Sequence, residues 1–188
     1  MTTLEIAANI LNLLGVYLAA KNKVSTWPIG IVGCILYGVM FYEVKLYADV
    51  TLQVFYVVTS FFGWYYWQKG GDGKAELPVT RVKLSRLLFY GVAGIMTSVM
   101  YGFMLAKTTD ASYPFIDSMI LSFSVIGQLL MMNRKLECWP VWILVNTLSI
   151  PLFISKGLYL TSFVYALFWV NAVWGHFQWK NVGKEVHP

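Results

Sequence analysis

Seven apolar stretches, each near the length needed to cross a bilayer, set the terms for this chain. A spanning helix needs about 20 largely apolar residues, within a range of about 17–25. The sequence offers such stretches at 4–20, 27–42, 50–67, 87–106, 115–132, 139–155 and 160–179. Charged residues make up 12% of the 188 residues and hydrophobic ones 58%, against about 25% and about 45–50% in soluble domains. Too little polar surface remains to cover a globule in water. That excludes an ordinary soluble enzyme, a disordered chain and a soluble nucleic-acid binder. The expectation is an all-α integral membrane protein whose first partner is the lipid bilayer.

Between the stretches lie short polar segments, the longest at 70–86. Seven crossings put the two termini on opposite sides, so the basic residues can choose the orientation. One side receives Lys21, Lys23, Lys69, Lys74, Arg81, Lys83, Arg86, Arg134, Lys135, Lys180 and Lys184; the other receives only Lys45, Lys107 and Lys156. Lys and Arg favour the cytoplasmic face, which predicts the N-terminus outside and the C-terminus in the cytoplasm. The net charge of +5 is therefore a matter of topology and does not point to nucleic acid. Met1-Thr2-Thr3-Leu4-Glu5 has neither a basic n-region nor a small-residue cleavage site, so no removable signal peptide is expected. Cys34 and Cys138 are too few and too far apart for a metal motif or disulfide framework, and read as small packing residues.

The chain also matches itself. Trp27-Pro28 meets Trp139-Pro140 at an offset of 112 residues, and the register holds through the next two stretches. In it Leu46-Tyr47 meets Leu158-Tyr159, Gly63 meets Gly175 and Trp67 meets Trp179, while upstream Gly15 meets Gly127 and Lys23 meets Lys135. Coincidence explains matched Leu or Val but not a Trp-Pro pair, a Leu-Tyr pair, a Gly and a terminal Trp in one register. The unit is three helices, leaving the fourth as a connector. Without it the second triplet would enter from the wrong side. The reading is a 3+1+3 parallel internal repeat: a first bundle at 1–69, loop and linker helix at 70–112, a second bundle at 113–181 and a short cytoplasmic tail at 182–188. Parallel repeats of this kind are the plan of SWEET-type transporters, whose substrate sites lie near the membrane midplane between the repeats. A duplicated scaffold without transport is the plainer alternative.

Polar groups inside a membrane helix are costly unless satisfied, and tend to face a cavity or a partner helix. The informative ones are Asn12, Gln53, Thr59, Asp117, Gln128, Asn146, Ser149, Asn171 and His176. Trp139, Trp142 and Asn146 are spaced to share one helix face, as are Asn171 and Trp174. Two such faces would give flat walls with amide hydrogen bonds, suited to a flat polar ring. Indole faces also attract cations, by about 2 kcal/mol or more when desolvated. The plainer reading of the Trp residues is an interfacial belt, and Trp27, Trp67, Trp139 and Trp179, near span ends, are expected there. Trp142, Trp169 and Trp174 lie deeper and are expected to line or pack. His176 is expected to be a satisfied packing residue. No His-rich, paired-carboxylate, Ser-His or phosphate-loop constellation is present, so no enzyme, metal or cofactor is expected.

Taken together, Lys45-Leu46-Tyr47-Ala48-Asp49, Leu52-Gln53 and Gly63-Trp64 resemble the third helix of PnuC-type vitamin transporters. Pro114-Phe115-Ile116-Asp117, Asn133-Arg134-Lys135, Trp139-x-x-Trp142-x-x-x-Asn146, Lys156-Gly157-Leu158-Tyr159-Leu160 and Asn171-x-x-Trp174 are similar to that family's second half. The resemblance covers nearly the whole chain. It implies facilitated import of nicotinamide riboside across a bacterial inner membrane, with relatives moving thiamine, riboflavin or deoxynucleosides. It further implies a trimer and trapping of the vitamin by a cytoplasmic kinase. Its pocket would use Trp139, Trp142 and Asn146, with Gln53, Asn171 and Trp174 as inferred additions. A sugar facilitator of SWEET type is the alternative with the same architecture.

Overall fold

A computed structural model gives the structure of residues 3–43, 47–70, 77–109, 112–157 and 159–186. Among these residues it contains seven α-helices: α1 (Thr3–Ala20), α2 (Thr26–Glu43), α3 (Tyr47–Lys69), α4 (Leu84–Thr108), α5 (Pro114–Met132), α6 (Cys138–Ser155) and α7 (Tyr159–Val186). Lys45, Leu46, Lys74, Leu158 and His187 lie outside the described residues, as do the side chains of Tyr47, Ala48, Asp49 and Lys184. The expected helices are all present, and α7 continues to Val186. Its apolar run ends at Trp179, but Lys180 and Asn181 are tolerated in a solvated helix, so polarity alone does not stop it. By length and composition, α4, α5 and α6 are fit to cross a membrane, while α1 and α2 carry shorter apolar runs, Ile6–Ala20 and Thr26–Met40.

Six helices close a ring in the order α1, α2, α3, α5, α6, α7 and back to α1, and α4 packs outside it against α5. The α4–α5 contact has a simple cause. Gly94, Ser98 and Gly102 recur every four residues and are the buried residues of α4. Small residues at that spacing let two membrane helices approach closely. A Cβ on Gly102 would lie 2.5 Å from the Phe115 ring, and one on Gly94 would lie 2.9 Å from Ile126. The rest of α4 turns large apolar side chains outward, with Met100 71% and Phe89 67% exposed. In water such a face would be untenable; against acyl chains it is ordinary.

The two seams of the ring repeat each other. Trp67, near the end of α3, donates through Nε1 to the Met131 carbonyl in the last turn of α5 (3.2 Å). Trp179, near the end of α7, donates likewise to Ala19 in the last turn of α1 (2.9 Å). These four residues form two pairs offset by the same 112 positions. They also bring the C-terminal ends of α1, α3, α5 and α7 to one end of the ring. At mid-depth Asn171 Nδ2 donates to the Val16 carbonyl (2.8 Å), and Gln128 Nε2 to Thr59 Oγ1 (3.2 Å), again joining positions 59 and 171 with 16 and 128. That end carries Lys21, Lys23, Lys69, Arg81, Lys83, Arg86, Arg134, Lys135 and Lys180, whereas the described basic residues at the other are Lys107 and Lys156. We call it the basic end.

The tryptophans near the helix ends correct the sequence reading. Trp27, Trp67, Trp139 and Trp179 are 3%, 0%, 2% and 0% exposed, so they form no interfacial belt. Trp27 meets Trp67 edge-on at 5.2 Å, Trp139 meets Trp179 edge-on at 5.3 Å, and Trp67 tilts against Trp179 at 5.5 Å. Room for the inner pair comes from glycine. A Cβ at Gly63 would sit 2.5 Å from the Trp27 ring, and one at Gly175 would sit 2.6 Å from the Trp139 ring. The matched Gly63 and Gly175 are therefore seats for indoles. Aromatic pairs in these geometries add about 0.5–1.5 kcal/mol beyond their buried area. Proximity to a span end says nothing about which way a Trp faces.

Beneath this cluster one residue of the Asn133–Lys135 turn is also inside. Arg134, one of the basic residues that set the expected orientation, is 2% exposed. Its guanidinium lies over the Trp67 ring at 4.5 Å. It donates to Asn22 Oδ1 (2.8 Å), to the Asn22 carbonyl (3.2 Å) and to the Leu77 carbonyl. The segment after residue 76 is strapped across the same end. Thr80 accepts from Leu136 N (3.0 Å) and donates to the Arg134 carbonyl (3.1 Å), Lys135 Nζ donates to Thr80 Oγ1 (2.7 Å), and Val82 N donates to Glu137 Oε2 (2.9 Å). Breaking a buried, hydrogen-bonded charge by removing one partner typically costs about 3–5 kcal/mol.

Candidate functional site

A cavity of about 220 Å³ lies at the centre of the six-helix ring, and its lining residues come from all six helices. None comes from α4. From α6 it receives Trp139, Trp142 and Asn146, which the helical period places on one face as the spacing predicts. Asn146 is 3% exposed. From α1 come Asn12, Val16 and Ala19, from α2 Trp27, Cys34 and Tyr37, and from α3 Gln53, Tyr56 and Ser60. From α5 come Ser124, Gln128 and Met131, and from α7 Tyr165, Phe168, Asn171 and Ala172.

The walls combine flat apolar faces with amides and hydroxyls. Nε1 of Trp27, Trp139 and Trp142 is buried without a hydrogen-bond partner among the described residues. A buried donor left unpaired costs about 1–3 kcal/mol, and all three side chains line the cavity. Several amides are already held in place: Asn12 Nδ2 donates to the Ala8 carbonyl (2.9 Å) and Asn171 Nδ2 to the Val16 carbonyl. Each keeps a carbonyl oxygen with acceptor capacity; Asn12 is held against its own helix and Asn171 by the α1–α7 seam. Trp142 is seated over Gly127, where an added Cβ would lie 3.1 Å from the indole. Cation–π attraction and amide hydrogen bonds are therefore available together in one low-dielectric chamber. Among the described residues no three His, Cys, Asp or Glu side chains come together as a metal site.

Five of the six residues singled out in the sequence meet here: Trp139, Trp142, Asn146, Gln53 and Asn171. Trp174 does not. It stacks on Tyr17 at 5.6 Å in the α1–α7 seam and faces a separate crevice with Lys21, Lys23 and Gln178. The cavity face of α7 follows Tyr165, Phe168, Asn171 and Ala172, and Trp174, one turn past Asn171 toward the basic end, packs on α1 instead. Trp169 is likewise outside, 37% exposed and bonded to Thr147 Oγ1 at 3.0 Å. His176 Nδ1 is buried with no partner among the described residues, so it is not the satisfied packing residue the sequence suggested. Asp117 is paired with Lys156 at 3.0 Å, away from the cavity.

Trp27, Cys34, Tyr37, Tyr56, Tyr165 and Phe168 were missed as lining residues. The 112-residue register could have found several of them, because Cys34 stands opposite Asn146, Tyr165 opposite Gln53, and Trp27 opposite Trp139.

The chain matches, over residues 2–181, the family described as nicotinamide mononucleotide transporter. It belongs to that family. Among its relatives, the nicotinamide riboside transporter PnuC of Escherichia coli (strain K12) is 25% identical over 98% of this chain and 88% of the relative. The riboflavin/roseoflavin transporter RibM of Streptomyces davaonensis is 24% identical over 93% of this chain and 83% of its own length. The crystal structure of the vitamin B3 transporter PnuC superposes with a TM-score of 0.78, covering 97% of this chain and 82% of that one at 26% identity. Membership in the nicotinamide mononucleotide transporter family thus makes this a membrane transporter of the PnuC kind.

Proposed function

We propose that the chain imports a small water-soluble vitamin, most simply nicotinamide riboside, by facilitated diffusion through the central cavity. The observation that carries this reading is the chamber itself: indole side chains and fixed amides enclosing about 220 Å³. That volume lies below the about 300–1,000 Å³ usual for pockets of drug-sized ligands. Its size favours a single-ring riboside or thiamine over the three-ring flavin. Trp142 and Trp139 would sandwich or flank the ring, Asn146 and Gln53 would hydrogen-bond its polar groups, and Asn171 would hold the α1–α7 seam while presenting its carbonyl.

In this reading all seven helices cross the bilayer and the basic end faces the cytoplasm. Helices α1–α3 and α5–α7 act as two parallel, SWEET-like triplets joined by α4. Rocking of one triplet against the other supplies alternating access. The chain works as a transporter rather than an enzyme, in a bacterial inner membrane, as a homo-oligomer that is trimeric by family resemblance. A cytoplasmic kinase then traps the vitamin by phosphorylation.

Calorimetric titration of purified protein with nicotinamide riboside, thiamine, riboflavin and a deoxynucleoside, followed by flux into liposomes, tests the reading. Saturable binding and downhill flux of the riboside, with weaker riboflavin binding, is the expected result. Flux of glucose or sucrose with no vitamin binding would instead favour the sugar facilitator. Accumulation against a gradient in vesicles lacking a kinase would contradict uncoupled transport.

A further inference from the structure

The Asn133–Lys135 turn sends one side chain, Arg134, across the basic end of the ring. The cavity floor at this end is Ala19, Met131, Trp27 and Trp139. Under it, the Trp67 and Trp179 indoles clamp the two inter-triplet seams. Under those lies Arg134, bonded to the side chain and carbonyl of Asn22 in the α1–α2 turn and stacked on Trp67 of α3. Arg134 and Asn22 are the same position of the two triplets, 112 residues apart. The two turns have matching backbones: Lys23 N bonds the Leu18 carbonyl and Lys135 N the Leu130 carbonyl, both at 2.9 Å.

A site on such a pseudo-twofold axis can accommodate one long side chain, not two, and here Arg occupies it while Asn accepts. The backbone says the same. Asn22 has φ 57° and Arg134 φ 52°, a left-handed conformation that suits Asn or Gly and disfavours a long side chain. Turn geometry alone does not account for Arg at that place; its contacts do. A guanidinium offers five fixed donors and a flat face, so it can bind Asn22, the Leu77 carbonyl and the Trp67 ring at once, which an ammonium cannot. At the opposite end, by contrast, Tyr37–Asn9 (2.5 Å) and Lys156–Asp117 (3.0 Å) each join parts of a single triplet.

We propose that Arg134 is the positioning residue of an inner latch, and that its guanidinium must leave Asn22, Leu77 and the Trp67 face before the cavity opens at the basic end. The residue-77–82 strap, pinned to the same turn through Thr80 and Val82, moves with it. The inference rests on the transport reading above. Its test, however, needs no substrate.

Cys34 lines the cavity and serves as a native reporter once Cys138→Ser leaves it the sole thiol. Vesicles of known sidedness are treated with a membrane-impermeant maleimide from the side that exposes the C-terminal helix end. The parent reacts slowly. Arg134→Gln and Asn22→Gly each raise the Cys34 labelling rate from that side at least tenfold and leave the rate from the opposite side unchanged, with Arg134→Lys between. Asn22→Gly keeps the positive φ, so it decides the matter if Arg134→Gln does not fold. Rates within twofold of the parent in the folded variants overturn the latch, as does an equal rise from both sides. Calorimetry on the same parent protein separates the two ideas. Vitamin binding with unchanged labelling defeats only the latch, whereas latch-dependent labelling without any vitamin binding defeats only the transport reading.

Discussion

Helices α1–α3 and α5–α7 agree where they bear load and differ where they meet the cavity. Trp27 and Trp139 sit on Gly63 and Gly175, and Trp67 and Trp179 clamp Met131 and Ala19. Across the chamber the same register sets Gly30 against Trp142, Cys34 against Asn146, and Gln53 against Tyr165, and all six residues line it. A closed ring of two like triplets needs identical joints, because each seam is built from the end of one triplet and the start of the other. The proposed cargo has no such symmetry. A ring with a ribose on one side would be bound by unlike walls, which leaves the chemistry free to accumulate in α6 at Trp142 and Asn146 while α2 keeps the small Gly30 and Cys34 at the matched positions.

This contrast can be broken in a graded way. The largest effect is expected from Trp142→Ala, which removes a flat wall: the Kd for nicotinamide riboside should rise about 30-fold, equivalent to about 2 kcal/mol, with the melting temperature changed little. Calorimetry with a parallel melting curve checks it, and an unchanged Kd would place the ligand elsewhere. Gly63→Ala and Gly175→Ala come next and test the joints. Each forces a Cβ to within 2.5 and 2.6 Å of an indole, an overpacking cost of about 1–3 kcal/mol. Both should lower the melting temperature by a similar amount; a loss in one alone would mean the two joints are not equivalent.

Asn146→Ala should weaken binding by about fivefold, the worth of one hydrogen bond of about 1 kcal/mol. Cys34→Ala, at the matched position, should change it less than twofold. Equal effects at the two sites would erase the asymmetry. Smallest of all is Trp174→Ala, which lies outside the cavity and should leave the vitamin Kd within twofold of wild type while loosening its stack on Tyr17.

Much of the architecture was legible in the sequence because a bilayer constrains it so tightly. Seven apolar runs of spanning length became seven helices, and the Trp-x-x-Trp-x-x-x-Asn spacing put three side chains of α6 on one face because helical period depends on nothing else. What the period cannot give is which way a face turns. Trp27, Trp67, Trp139 and Trp179 stand near span ends, where a belt is the usual outcome, yet glycines on neighbouring helices draw two of them inward and the other two pack against those. Trp174 shares its helix with Asn171 but is displaced toward the α1 seam. Arg134 reads as one more loop charge, and only the fold shows Asn22, brought from 112 positions away, capturing it. Those features depend on contacts between distant segments, which local spacing does not encode.

The central claim is that the vitamin sits in the chamber between the triplets, and Cys34 can report it directly. In Cys138→Ser protein in detergent, alkylation of Cys34 is timed with and without nicotinamide riboside. The account predicts at least fivefold slowing, half-maximal at the concentration that calorimetry gives for binding. Calorimetric binding with Cys34 alkylated at an unchanged rate would contradict it.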